Sequence, residues 1–132
     1  MTFVDTSFWL ALTMARDPRN QEARELLAHH GDGRLVTSNH VRGETWTFLR
    51  RRAGHRDAVR FLDLLGQSRR VEVAFASKEI EQDALRWLRR HDEREYSFVD
   101  ATSFALMRHR RIRRALAFDG DFSAAGFQEL RV

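Results

Sequence analysis

The chain has 132 residues, room for one domain around one core, and its 42% hydrophobic content with ten Phe and three Trp can fill that core. It has no Cys, which excludes a disulfide framework and a thiolate metal site. The formal charge is +4 and 22 of the 23 basic residues are Arg, a planar donor fork suited to phosphate, so a polyanionic partner is expected beside the plainer reading of a solvated basic surface.

Phe3 and Val4 read as a short buried strand that ends at Asp5, and Thr6 and Ser7 open an apolar run with Phe8, Trp9, Leu12 and Ala15 near helical spacing. Pro18, the only Pro, separates this helix from a second over 20–30 with Ala23, Leu26, Leu27 and His30 on one face. Gly31, Asp32 and Gly33 form a turn into a second strand at Leu35 and Val36. Thr37, Ser38 and Asn39 offer caps for a helix through Val41, Glu44, Thr45, Phe48 and Leu49 that ends in Arg50, Arg51 and Arg52, which suit the negative end of its dipole.

A further helix from about 56 to 65 points Phe61, Leu62 and Leu65 inward, and Val71, Val73 and Phe75 alternate as a third strand. A long amphipathic helix follows from Ser77 to about Arg94, with Ile80, Ala84, Trp87 and Leu88 on its apolar face. Tyr96 and Ser97 interrupt it, and a new helix carries Phe98, Ala101, Ala105 and Leu106. Ala115 to Phe118 form a buried strand that ends in Asp119, Gly120 and Asp121, and Gln128 to Val132 form a last edge strand. Strands alternating with helices predict an α/β fold in three α/β/α layers, with a central, mainly parallel sheet and all strand carboxyl ends on one edge. No linker or repeat divides residues 1–132, so a single domain is expected.

Asp5, Glu44, Asp100 and Asp119 each lie in an apolar context that surface charges avoid. Burying an unpaired carboxylate is costly, and four together raise one another's pKa; a divalent cation resolves the repulsion. The six His lack helical zinc spacing, so such an ion is held by oxygen. Each acid also has an ordinary structural reading: Asp5 as a helix cap, Ser97 with Asp100 as a capping box, Asp119-Gly120-Asp121 as a turn, and Glu44 as a partner of Arg42 or Arg51. A local echo, Phe3-Val4-Asp5-Thr6-Ser7-Phe8 against Phe98-Val99-Asp100-Ala101-Thr102-Ser103-Phe104, gives Asp5 and Asp100 similar surroundings.

The ordered set Val4-Asp5-Thr6-Ser7, Glu44 early in a helix, Ser97-Phe98-Val99-Asp100 with Ser103, and Ala117-Phe118-Asp119-Gly120-Asp121-Phe122 resembles the PIN-domain nucleases. The length resembles the VapC-type ribonuclease toxins of bacterial toxin–antitoxin pairs. The resemblance implies a PIN-like fold and a metal-dependent endoribonuclease that hydrolyses RNA phosphodiester bonds. It maps Asp5, Glu44, Asp100 and Asp119 as the catalytic, metal-binding cluster for Mg²⁺ or Mn²⁺, with Thr6 or Ser7 beside the first acid; Asp121 is a ligand, directly or through water, or only a turn residue. It further implies a VapB-like antitoxin and a homodimer. Arg42, Arg50 to Arg52 and the run from Arg108 to Arg114 are candidates for drawing RNA in, and Trp9 and Trp46 for stacking bases or, more plainly, for packing the core.

Two other classes are consistent with parts of the pattern. A phosphotransferase forming an aspartyl phosphate commonly has an acid two residues after the nucleophile or a Lys at a later strand end, but here Ser7 holds the first place and the only Lys, Lys78, starts a helix. A non-catalytic basic α/β module binding RNA or protein would use the acids as caps, and metal dependence separates it from a nuclease. Asp5 stands where a secretory signal carries positive charge, and no apolar run approaches the roughly 20 residues of a membrane span, so a cytoplasmic location is expected.

Overall fold

A computed structural model describes residues 1–30 and 33–132; the turn expected at Gly31 and Asp32 lies outside the described residues. The strands are β1 (Thr2–Val4), β2 (Leu35–Ser38), β3 (Val71–Ala74), β4 (Arg114–Leu116) and β5 (Gln128–Glu129). They form one sheet in the order β3-β2-β1-β4-β5, and every pairing is parallel. The helices are α1 (Thr6–Thr13), α2 (Asn20–His30), α3 (Asn39–Arg52), α4 (His55–Gln67), α5 (Lys78–Arg90), α6 (Phe98–Arg110) and α7 (Asp121–Ala124).

Strand order explains the layers. The chain steps from β1 to β2 to β3 in one direction and then crosses back to β4 on the other side of β1. Right-handed crossovers therefore put α1 to α4 on one face and α5 and α6 on the other, as the α/β/α expectation required. β1, central and covered on both faces, has Phe3 and Val4 fully buried. The order reverses between β1 and β4, and the crevice outside their carboxyl ends is where such sheets place ligands.

Two packing systems fix that crevice. Under α1, Trp9 Nε1 donates to Thr37 Oγ1 at 3.2 Å and Thr37 Oγ1 donates to the Val4 carbonyl at 2.9 Å, so the buried indole and hydroxyl are both satisfied. Across the sheet, Phe104 of α6 meets Trp87 at 5.2 Å, Phe122 at 4.9 Å and Phe127 at 5.6 Å between ring centroids. This aromatic cluster seats α6 beside α7, and so sets the distance between the acids that begin those two helices.

Some element ends differ from the sequence reading. β3 stops at Ala74 because the Ala76 N–H turns to Asn39 Oδ1 at 3.0 Å, which leaves Phe75 66% exposed. In α4 the inward face is Ala58, Phe61 and Leu65, while Leu62 stands 39% exposed. α5 ends at Arg90, not near Arg94, since His91 is extended at φ −124° and ψ 103°. β4 ends at Leu116 because β1 has given way to α1, and the Phe118 N–H donates to Ser7 Oγ at 3.0 Å in place of a ladder bond. The last strand is only Gln128–Glu129.

Candidate active site

Asp5 leaves the carboxyl end of β1 and caps α1. Its N–H donates to the Leu116 carbonyl at 3.0 Å, which ties it to the neighbouring strand β4. Asp5 Oδ2 accepts from the Ser7 N–H at 3.2 Å and from the Ser7 hydroxyl at 2.7 Å. Ser7, of the two hydroxyl residues that follow Asp5, is thus the one that orients it. Thr6 Oγ1 is buried without a hydrogen-bond partner and Thr6 lines the same crevice.

Asp100 sits in the first turn of α6 inside a complete capping box. The Asp100 N–H donates to Ser97 Oγ at 2.9 Å and the Ser97 N–H donates to Asp100 Oδ2 at 3.1 Å. Asp119 follows β4, and its Oδ1 accepts from the Asp121 N–H at 3.1 Å. Gly120 between them has φ +81°, a left-handed conformation that side chains disfavour. The ordinary structural readings of these residues therefore hold as well: a cap, a capping box and a turn pin each carboxylate at the sheet edge. Structural and chemical roles coincide because the groups that hold a carboxylate still can leave its other oxygen free.

All five sequence-identified acids, Asp5, Glu44, Asp100, Asp119 and Asp121, line one cavity of about 300 Å³, together with Ser7, Phe48, Glu95 and Ser97. Glu44 projects from α3 into this cavity, while its neighbour Arg42 lays its guanidinium over Phe75 at 5.4 Å. Asp5 is only 2% exposed and Asp100 7%. Burial pushes the Asp5 carboxyl up to about 8; the Asp119 carboxylate raises it further, and the Ser7 hydroxyl opposes both. Burial likewise pushes Asp100 up to about 6, with Asp119 and Asp121 adding repulsion. Asp119 is also raised, first by burial and then by the Asp121 charge.

Asp100, Asp119 and Asp121 each offer an oxygen, and these lie within 4.8 Å of one another. Hard oxygen donors at close spacing, with Asp100 and Asp119 raised by burial first and by neighbouring carboxylates second, fit a small divalent cation. Asp5 and Glu44 face the same space from β1 and α3.

Other expectations fall elsewhere. α6 begins at the acids and runs to the opposite edge of the sheet, so the run from Arg108 to Arg114 stands far from the cavity, and Arg110 Nη1 donates to Glu72 Oε1 at 3.2 Å. Trp9 is buried and Trp46 packs edge-on to His55 at 5.9 Å, the plainer of their two readings; the aromatic ring in the cavity wall is Phe48, with Arg52 over it at 4.9 Å. Sequence reasoning missed Arg94, whose Nε donates to Asp121 Oδ1 at 2.9 Å. Extending α5 to residue 94 hid it, because a charge at a helix end reads as solvated surface.

The profile of the PIN domain matches residues 2–128. The 23S rRNA-specific endonuclease VapC20 of Mycobacterium tuberculosis, from strain H37Rv and from strain CDC 1551, is 56% identical over 131 residues, covering 99% of this chain and 98% of that protein. The crystal structure of M. tuberculosis VapC20, described as a sarcin–ricin loop cleaving toxin, superposes with a TM-score of 0.94 at 55% identity over 100% of both chains. With this coverage, and with the strand order and acid placement above, the chain belongs to the PIN domain family.

Proposed function

We propose that residues 1–132 act as a single-domain, divalent-metal-dependent endoribonuclease, the toxin of a VapBC-type toxin–antitoxin pair. The observation that carries this reading is the meeting of Asp5, Glu44, Asp100, Asp119 and Asp121, from four separate segments, in one cavity at the switch point of the sheet, with Glu95 as a sixth acid in its lining. The full-length likeness to the 23S rRNA-specific endonuclease VapC20 supports RNA as substrate, and specifically the sarcin–ricin loop of 23S rRNA. A ribosomal substrate puts the working compartment in the cytoplasm. No helix among the described residues is long and apolar enough to cross a membrane.

Asp100, Asp119 and Asp121 would hold Mg²⁺ or Mn²⁺, with Asp5 and Glu44 completing the shell directly or through water. The bound cation supplies Lewis acidity toward water and the phosphodiester. The protein's part is positional. Ser7 and Ser97 fix the carboxylates of Asp5 and Asp100 so that their charges stand ready without reorganisation. Phe48, with Arg52 across its ring, offers a stacking face at the cavity wall.

A VapB-like antitoxin that blocks the acidic cavity and masks its charge is the expected protein partner, and a homodimer is the expected assembly of the free toxin. The test of function is cleavage of a synthetic sarcin–ricin hairpin in Mg²⁺, in Mn²⁺ and in EDTA. Cleavage is expected with either metal and not in EDTA, and is expected to vanish in Asp5→Asn and Asp100→Asn with the circular dichroism unchanged. Cleavage that persists in both folded variants would refute the reading.

A further inference from the structure

Arg94 lies in the 91–97 segment between α5 and α6, which has no regular structure. Its Nε donates to Asp121 Oδ1 at 2.9 Å and its Nη2 donates to the Asp119 carbonyl at 3.4 Å. The guanidinium lies across the turn itself, 3.5 Å from where a Cβ on Gly120 would stand. Among the described residues it is the only basic side chain within ion-pair distance of any of the five acids.

The turn does not need this contact for its shape. The Asp121 N–H already closes on Asp119 Oδ1 at 3.1 Å, the Ala124 N–H donates to the Gly120 carbonyl at 3.1 Å, and Gly120 supplies the left-handed residue. The pair is open to water on one side, with the Arg94 side chain 42% exposed and that of Asp121 18%, and an ion pair so reached by solvent is readily exchanged. Two of the five guanidinium N–H groups are used; the rest are free to bind.

An RNA phosphate approaching the six carboxylates of this cavity, Glu95 included, meets repulsion that a cation must offset. Residues on either side of the Arg94 contact, Glu95 and Asp121, line the cavity, so the guanidinium stands at its rim. We propose that Arg94 is a substrate-binding residue of this site: it pairs with Asp121 before RNA arrives and donates to a non-bridging oxygen of the RNA phosphate placed against the acids. The inference rests on the ribonuclease reading above. With the Asp121 carboxylate shared with a divalent ion, the Arg94 guanidinium would be free to turn from it to a phosphate oxygen at the same rim.

The experiment measures affinity for the fluorescent sarcin–ricin hairpin by anisotropy in Mg²⁺, over a range of salt, in an Asp5→Asn background where RNA stays intact. Arg94→Ala is expected to weaken binding about tenfold and to make the salt slope shallower by about one, while Arg94→Lys restores the slope and part of the affinity. The thermal shift produced by Mn²⁺ is expected to survive in Arg94→Ala. Equal affinity and slope with and without Arg94 would overturn the proposal. So would a loss of affinity accompanied by loss of the Mn²⁺ shift, which would make Arg94 a positioning residue for Asp121. If the Asp5→Asn parent itself binds no hairpin, the ribonuclease reading fails and the proposal falls with it.

Discussion

The Ser7 hydroxyl donates to Asp5 Oδ2 at 2.7 Å and accepts the Phe118 N–H at 3.0 Å, so one side chain joins the first acid to the backbone that carries Asp119. β1 and β4 are sheet neighbours up to Leu116, and Ser7 continues their pairing beyond the last ladder bond. The placing of Asp5 against Asp119 therefore rests on this hydroxyl together with the Asp5 N–H bond to the Leu116 carbonyl.

Removing that hydroxyl tests the relationship. Ser7→Ala leaves the Phe118 N–H without its partner and Asp5 without its shortest bond, and is expected to cost about 1–3 kcal/mol of stability. Activity is expected to fall further than stability predicts, by about tenfold or more, the scale seen when the partner orienting a metal ligand is lost. Chemical denaturation and hairpin cleavage, measured on the same preparation, check the two parts. Ser7→Thr, which keeps the hydroxyl, is expected to recover most of both.

The raised acids make stability depend on pH in a specified direction. Asp5 at about 8 and Asp100 at about 6 both stand above their ordinary 3.8, so the folded state holds these protons more tightly than the unfolded chain. Their contribution is complete below about pH 4 and is lost as pH rises through about 6 and then about 8. Metal-free protein is expected to show a Tm that falls from about pH 5 to about pH 8, and Mg²⁺ to flatten that slope by neutralising the ionised acids. Glu72 and Glu93, whose pKa values are lowered by Arg110 and His91 respectively, act only at more acid pH and do not mask it. Differential scanning fluorimetry in EDTA and in Mg²⁺ checks the slope; a flat or rising Tm in EDTA across this window would contradict it.

Asp100→Asn separates the cap from the chemistry. The amide oxygen can still accept the Ser97 N–H, so α6 keeps its capping box while one buried charge disappears. Without metal at about pH 8, this variant is expected to melt at or above the parent, because a desolvated carboxylate has been removed. In Mn²⁺ the order is expected to reverse, with the parent gaining a shift that the variant lacks. Asp100→Ala, which breaks the capping box, is expected to lose about 1 kcal/mol relative to Asn.

Phe104 is the mechanical link between α6 and α7. Truncation to Ala removes its contacts with Trp87, Phe122 and Phe127 and is expected to destabilise the fold by about 3–5 kcal/mol. Because Asp100 and Asp121 stand on the helices this ring holds together, the Mn²⁺-induced shift is expected to shrink even where the variant remains folded. Phe104→Leu, closer in volume, is expected to keep more of both, as thermal melts with and without Mn²⁺ will show.

Much of this arrangement was legible in the sequence because the same residues carry two signals. Asp5 and Asp100 follow apolar strand or helix starts and are flanked by hydroxyls, a pattern readable from neighbours alone. Glu44 and Asp119 were legible through their apolar context and order along the chain, and Asp121 only through the family resemblance, with its role open between ligand and turn residue. Long-range geometry was not legible in the same way. That Ser7 and not Thr6 orients Asp5 depends on the Phe118 backbone more than a hundred positions away. Arg94 was missed because its meaning comes from where α5 stops, and helix periodicity does not locate an end that lacks a Gly or Pro. Arg108 to Arg114 looked close to the acids along the chain, yet the length of α6 carries them to the opposite edge of the sheet.

The central claim is that these acids hold a divalent ion used in RNA cleavage. The most direct measurement is anomalous diffraction from crystals soaked in Mn²⁺ at neutral pH. The account predicts a peak among Asp100, Asp119 and Asp121, on the side of the cavity that Asp5 and Glu44 face. A fully soaked crystal with no anomalous peak in that cavity, or with Mn²⁺ bound only elsewhere on the protein, would contradict it.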